Sequence, residues 1–140
     1  MGLNVYLNFR GTCKEAAELY AKAFKTEQPK ILLFGDVPAQ EDQPPLSDED
    51  KKLVMHTEIH LEGAIIMMSD VPSFMPFVQG NNVSLVLNLS NQEQIKAIYE
   101  ELKVGGNVIM EPSETFFSKY YAYLTDKFGI GWQLSMRPEQ

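Results

Sequence analysis

The sequence predicts an α+β fold made of two tandem βαβββ modules that form a curved mixed sheet around a cavity. Three observations predict it. Residues 82–136 carry a strand pattern, a capped helix and three further strand-like runs, and residues 1–70 carry the same order. Short motifs recur at matching places: Leu7-Asn8-Phe9 with Leu87-Asn88-Leu89, Leu19-Tyr20 with Ile98-Tyr99, and Met67-Met68-Ser69 with Gln133-Leu134-Ser135. Gly63 and Gly129 fall at the same turn of the repeat. One module alone leaves a sheet face wet, whereas two modules together place helices outside and a cavity inside. The 140 residues are expected to form one domain.

Each element has its own reason. Gly2 to Phe9 alternates, with Val5, Leu7 and Phe9 on one side and Asn4, Tyr6 and Asn8 on the other, as in a half-buried strand. Thr12 and Glu15 have the spacing of a reciprocal capping box. The helix they open presents Ala16, Leu19, Tyr20, Ala23 and Phe24 as one apolar stripe. Lys30 to Gly35 is a short second strand. Residues 36–50 form a polar acidic insertion in which Ser47 and Asp50 space a single helical turn. Val54 to Leu61 and Ala64 to Ser69 make a hairpin about Gly63. Asp70 to Asn82, with Pro72, Pro76 and Gly80, is the linker. Its Phe74, Met75 and Phe77 cover a cavity, a partner or their own domain.

The second module starts again at Val83 to Leu89, with Val83, Leu85, Leu87 and Leu89 on one face and Ser84, Val86 and Asn88 on the other. Ser90 or Asn91 caps a helix whose stripe is Ile95, Ile98, Tyr99 and Leu102. Gly105-Gly106 stops it. Asn107 to Met110 is a strand closed by Pro112, Phe116 to Asp126 a long aromatic strand, and Gly131 to Met136 the last strand.

Composition excludes several classes. The net charge is −7, and the longest basic cluster, Lys51-Lys52, follows three acids, so no nucleic acid partner is expected. No apolar run is long enough for a membrane span, and the N-terminus lacks the pattern of a signal peptide. A single cysteine, Cys13, excludes an internal disulfide and points to a reducing cytoplasm. Cys13 sits at a predicted helix start, where the dipole lowers a thiol pKa, but with no His nearby in sequence it reads as structural.

Several runs, taken together, resemble a known family. They are Tyr6-Leu7-Asn8-Phe9, Glu15-Ala16-Ala17-Glu18-Leu19-Tyr20, Val54-Met55-His56-Thr57-Glu58, Phe117-Ser118-Lys119-Tyr120, and Thr125 through Leu134. The chain resembles the PhnB-like branch of the vicinal oxygen chelate superfamily, historically labelled 3-demethylubiquinone-9 3-methyltransferase-like. That superfamily includes glyoxalase I, extradiol dioxygenases and bleomycin and fosfomycin resistance proteins. The resemblance implies a cytoplasmic homodimer with strands or modules shared between subunits. It does not imply a methyltransferase, because the sequence has no glycine-rich nucleotide loop and no doubly wound βα pattern.

In metal-dependent members of the superfamily the ligands sit on the first and last strands of each module. The matching positions here are Tyr6, Met67, a residue among Ser84 to Val86, and Gln133. Only Gln133 is an ordinary ligand of that superfamily, so the usual metal centre is expected to be absent. A second cluster, His56, Glu58 and His60, lies on one strand face, with neighbours about 7 Å apart. It either binds zinc or iron, with the outer rings bent inward, or forms a polar row. His56 beside Glu58 has the make-up of a general base or a neutral donor, and equally of a satisfied sheet histidine.

Three functions follow. The first is a small-molecule-binding protein without a conventional metal, its cavity lined by Tyr6, Asn8, His56, Glu58, Ser84, Asn88 and Gln133. The long aromatic strand sets Lys119 on a face with Tyr121 and Tyr123, where it meets an anionic ligand group or else solvent or a dimer partner. The second is an enzyme using His56 and Glu58 on a small polar substrate, with or without a divalent metal. The third is a partner contact through the acidic loop 36–50.

Overall fold

The structure is a computed structural model that describes residues 1–38 and 41–136. The chain divides into two compact units, Met1–Val78 and Gln79–Gln140. The first contains β1 (Val5–Phe9), α1 (Cys13–Phe24), β2 (Leu32–Leu33), α2 (Asp48–Lys51), β3 (Val54–Leu61) and β4 (Ala64–Asp70). Its sheet has the order β1-β4-β3-β2, with β1 parallel to β4 and the other pairs antiparallel. The second contains β5 (Ser84–Leu89), α3 (Gln92–Leu102), β6 (Asn107–Ser113), β7 (Tyr121–Thr125) and β8 (Gly131–Met136). Its order, β5-β8-β7-β6, repeats the first, again with only the β5–β8 pair parallel.

The register makes the repeat literal. Leu7 pairs with Met68 and Asn8 with Ser69; in the second unit Leu87 pairs with Leu134 and Asn88 with Ser135. Gly63 and Gly129 both turn with positive φ, +80° and +88°, a region that side chains disfavour. On each sheet one face is buried. Phe9, Thr57, Ile59, Ile66 and Met68 pack beneath α1, which buries Ala16, Ala17, Tyr20, Ala21 and Ala23. Ala122, Leu124, Trp132 and Leu134 pack beneath α3, whose buried residues are the expected Ile95, Ile98, Tyr99 and Leu102.

Several boundaries differ from the sequence reading, each for a physical reason. The Thr12 side chain makes no capping bond. The buried carboxylate of Asp70 does that work instead: Oδ1 accepts from the N–H groups of Gly11 at 2.8 Å and Cys13 at 3.0 Å. Its Oδ2 accepts from the Val54 N–H at 3.0 Å. Asp70 therefore ends β4 rather than opening the linker. α1 stops at Phe24 because Lys25 turns left-handed at φ 56° and the Thr26 N–H returns to the Ala21 carbonyl.

The second strand shrinks to Leu32–Leu33 and then tightens into a 3-10 turn, Phe34–Asp36. Ser47 does cap α2, accepting from the Asp50 N–H at 3.1 Å, while the Asp50 carboxylate accepts from Ser73 Oγ at 2.7 Å. In the linker Arg10 donates to the Met75 carbonyl and lies over the Phe77 ring, whereas Phe74 stays exposed.

In the second unit Pro112 does not close β6, which runs on to Ser113 with two register shifts. It is an edge strand, where a missing N–H is tolerated. The long aromatic strand is shorter than expected, because Thr115 and Ser118 fold residues 115–118 into a turn: the Thr115 N–H donates to the Ser118 carbonyl at 2.9 Å and the Ser118 N–H to Thr115 Oγ1 at 3.1 Å. Gly106 has no room for a Cβ, which would collide with the Thr125 carbonyl.

Asp70→Ala strands three N–H groups that the carboxylate now satisfies. It should destabilise the protein by about 3 kcal/mol, with Asp70→Asn losing less because an amide oxygen still accepts, as read from urea denaturation midpoints.

Candidate functional site

Opposite the α1-packed face, the first sheet carries a polar face. Laterally paired residues share a side, so the rows are Tyr6–Met67–Glu58 and Asn8–Ser69–His56, with Leu32 beyond His56 and with Ile65 and His60 in the next row. Among the described residues the short β2 leaves β3 without a strand partner on that side beyond His56. The irregular segment 25–31 runs alongside instead, and with β3 it bounds an open groove of about 910 Å³.

Alternation puts His56, Glu58 and His60 on this face, and the outer rings do bend inward. His60 Nε2 lies 2.8 Å from Glu58 Oε1 and His56 Nε2 lies 3.3 Å from Glu58 Oε2. An ionised carboxylate only accepts, so each Nε2 carries a proton and donates. The Glu58 carboxyl is held below the usual carboxylate range, first by the bond from His60 and then by that from His56. Glu58 is thus spent on hydrogen bonds to the two rings. Among the described residues no group of three His, Cys, Asp or Glu is arranged to hold a metal ion. Tyr6 stands beside the cluster. Its ring centroid is 6.1 Å from that of His56, and its hydroxyl donates to Ser69 Oγ at 3.0 Å. Asn8 is exposed in the row of Ser69.

The second sheet carries the corresponding face, with rows Val86–Gln133–Tyr123 and Asn88–Ser135–Tyr121, and Ser84 in the next row beside Gly131. Gln133 is bound at both ends of its carboxamide. Nε2 donates to Ser84 Oγ at 2.7 Å, and Oε1 accepts from the Tyr121 hydroxyl at 2.6 Å. Burial, and then the neighbouring Tyr123, push the Tyr121 phenol above its ordinary pKa. Tyr121 was not among the expected site residues. The repeat held the signal, since Tyr121 occupies the position that His56 takes in the first unit. Lys119 lies in the bend before β7 and so does not share a strand face with Tyr121 and Tyr123.

The positions implied for a metal therefore hold a phenol bonded to Ser69, the thioether of Met67, the isopropyl group of Val86 and a carboxamide engaged at both ends. Of this set only the Gln133 carboxamide is a donor of the ordinary type, and its oxygen already accepts from Tyr121, so the set does not fit a divalent ion. Cys13 is buried, and desolvation, then the Asp70 charge, push its thiol up to about 12. Of the acidic loop 36–50, residues 39 and 40 lie outside the described residues.

Two mixed sheets with the order 1-4-3-2, each under one long helix, define an α+β protein of the glyoxalase/bleomycin-resistance fold. Solved structures agree. The fold matches protein PA1353 from Pseudomonas aeruginosa with a TM-score of 0.84 and 26% identity, over 99% of both chains. It matches a PhnB protein from Bacillus cereus with a TM-score of 0.73 and 25% identity, over 98% of this chain and 100% of that one. A glyoxalase/bleomycin resistance protein from Albidiferax ferrireducens T118, at 17% identity and a TM-score of 0.62 over 96% and 97% of the two chains, shares the fold alone. Protein YjdN of Escherichia coli (strain K12) is 30% identical across the whole of this chain and 98% of its own. Residues 2–135 match the family described as 3-demethylubiquinone-9 3-methyltransferase. The chain belongs to that family, the PhnB-like branch of the vicinal oxygen chelate superfamily.

The Glu58 carboxyl has a depressed pKa, so its stabilising contribution is complete above the ordinary glutamate range and fades as pH falls through the lowered value. An NMR titration of the Glu58 carboxyl carbon should move up toward that range on removal of either imidazole, and further in His60→Ala than in His56→Ala. The Cys13 thiol should resist Ellman's reagent at neutral pH in the native protein and react at once in urea.

Proposed function

We propose that this protein binds a small molecule on the polar face of its first sheet and works without the metal centre usual in its superfamily. The observation that carries the reading is the donor set just described, above all Val86 and a Gln133 carboxamide held at both ends by Ser84 and Tyr121. The first sheet supplies what a polar ligand needs. A groove of about 910 Å³ is in the size range of small-molecule sites, and His56, Glu58 and His60 line it. Tyr6 and Asn8 extend the same face, and in the second unit Ser84, Asn88 and Gln133 share the corresponding face of their own sheet. The methyltransferase wording of the family is not carried over. Neither sheet is doubly wound, and among the described residues no glycine-rich turn joins a strand to a helix as a nucleotide site requires.

A second reading, catalysis, is favoured by one observation: a carboxylate fixes the imidazoles. Glu58 holds His56 through Nε2, so the lone pair of a neutral ring is left at Nδ1, and Glu58 stabilises the imidazolium that forms when that nitrogen takes a proton. His56 would then be the general base and Glu58 the group that orients it. The reading also carries a homodimer in the cytoplasm. Edge strand β6 exposes Ile109 and Met110, and the single cysteine suits a reducing compartment.

The test is metal analysis of the purified protein with a thermal-shift ligand screen, run with and without added divalent ions. The expected outcome is substoichiometric metal and ligand shifts that do not depend on added ions. One equivalent of tightly held metal, lost in His56→Ala, would overturn the metal-free reading.

A further inference from the structure

The groove beside β3 holds both histidines of the chain, although the chain carries a net charge of −7. Its charged lining is Lys25, Glu27 and Lys30 on the irregular segment, and Glu58 with His56 and His60 on β3. Among the described residues Lys25 and Lys30 form no ion pair. With neutral rings the lining is balanced, two lysines against two carboxylates. With both rings protonated it carries two positive charges. The other elements do not offset that swing. Tyr6 faces His56 from β1 with a phenol, β4 offers Met67 and Ser69, and β2 offers Leu32.

We propose that this groove binds a small organic anion in a proton-coupled manner, with Lys25 and Lys30 attracting the anion and His56 and His60 taking up protons as it binds. The proposal rests on the small-molecule reading above and gives it a ligand class. Three features support it. Each ring uses only Nε2 on Glu58, and among the described residues Nδ1 of each has no protein partner, so a proton gained there creates a donor that is not already committed. The two side chains are 40% and 64% exposed, within reach of a ligand in the groove. Glu58 keeps its negative charge, because the two rings hold its carboxyl below the usual range. It therefore balances an imidazolium without competing for the proton. Glu58 also supplies selectivity, since it repels an anion until the rings beside it are charged.

The balance is simple. The anion enters with its charge, each imidazole that it contacts gains one proton from solvent at Nδ1, and no covalent bond is made. Imidazoles gain protons within the pH 5–8 range, so binding should tighten as pH falls through it. Two added charges a few ångström from a partly exposed anion should strengthen binding about tenfold.

The experiment follows the His56 and His60 ring signals of the full chain by NMR while succinate, inorganic phosphate or neutral succinamide is added, at about pH 6 and about pH 8. The expected result is saturable perturbation of both rings by the anions, about tenfold tighter at the lower pH. In His56→Gln/His60→Gln, checked for folding by circular dichroism, the pH dependence should vanish and the weaker affinity of the lysines should remain. Succinate alone would identify a carboxylate ligand, phosphate alone a phosphate-type one, and both a general anion site. Equal affinity at the two pH values, or a pH dependence that survives in the double variant, overturns the proposal. Failure of both anions to perturb the rings also overturns it. Saturable binding of succinamide without the anions would sink the anion assignment and leave the small-molecule reading standing. Hits from the thermal-shift screen that leave these two rings unmoved would do the same.

Discussion

The buried carboxylate of Asp70 is the constraint on which the first unit depends. It sits at the end of β4, receives the N–H groups that open α1, and pins the first residue of β3. A buried carboxylate without donors is costly, so the three backbone groups and Asp70 hold one another in place. That lock sets where β3 starts relative to β4, and so which β3 residues face away from α1. The second unit uses the same device at another place. Asp126, also buried, accepts from the N–H groups of Phe128 and Ile130 and from the Trp132 indole, and so shapes the turn between β7 and β8.

The site inherits its geometry from those locks. With β3 fixed, period-two alternation sends Thr57 and Ile59 toward the helix side and leaves His56, Glu58 and His60 on the other. A β3 register shifted by one residue would bury two imidazoles and a carboxylate under α1, at large cost. The three polar groups satisfy one another. What remains open to a ligand is the far nitrogen of each ring, the nearby lysines, and the groove left where β2 stops after two residues.

The second sheet ties up its polar groups within itself. Gln133 occupies the place of a ligand but is tied by Ser84 and Tyr121, and its lateral neighbour Val86 has no donor atom. These are the residues that take a polar role on this face. The matching pair in the first unit, Tyr6 and Met67, is of the same kind, a phenol already bonded and a soft sulfur.

The internal repeat, the strand faces and the helix stripes were legible from residue order, because they follow from periods of two and 3.6 and from motifs such as Leu7-Asn8-Phe9 and Leu87-Asn88-Leu89. His56, Glu58 and Gln133 were legible as polar positions on predicted faces. The cap of α1 was not, since local spacing pointed to Thr12 and Glu15 while the acceptor came from Asp70, far along the chain. Nor was the end of the aromatic run, where a Thr115–Ser118 turn overrode strand propensity and removed Lys119 from the face of Tyr121. The partner of Gln133 was hidden for the same reason: only the β7–β8 register brings Tyr121 to it. Residue order by itself determined what repeats and which side each residue takes. Tertiary structure alone decided which polar groups meet, because hydrogen bonds between distant strands depend on register, and register is set by contacts that no local pattern encodes.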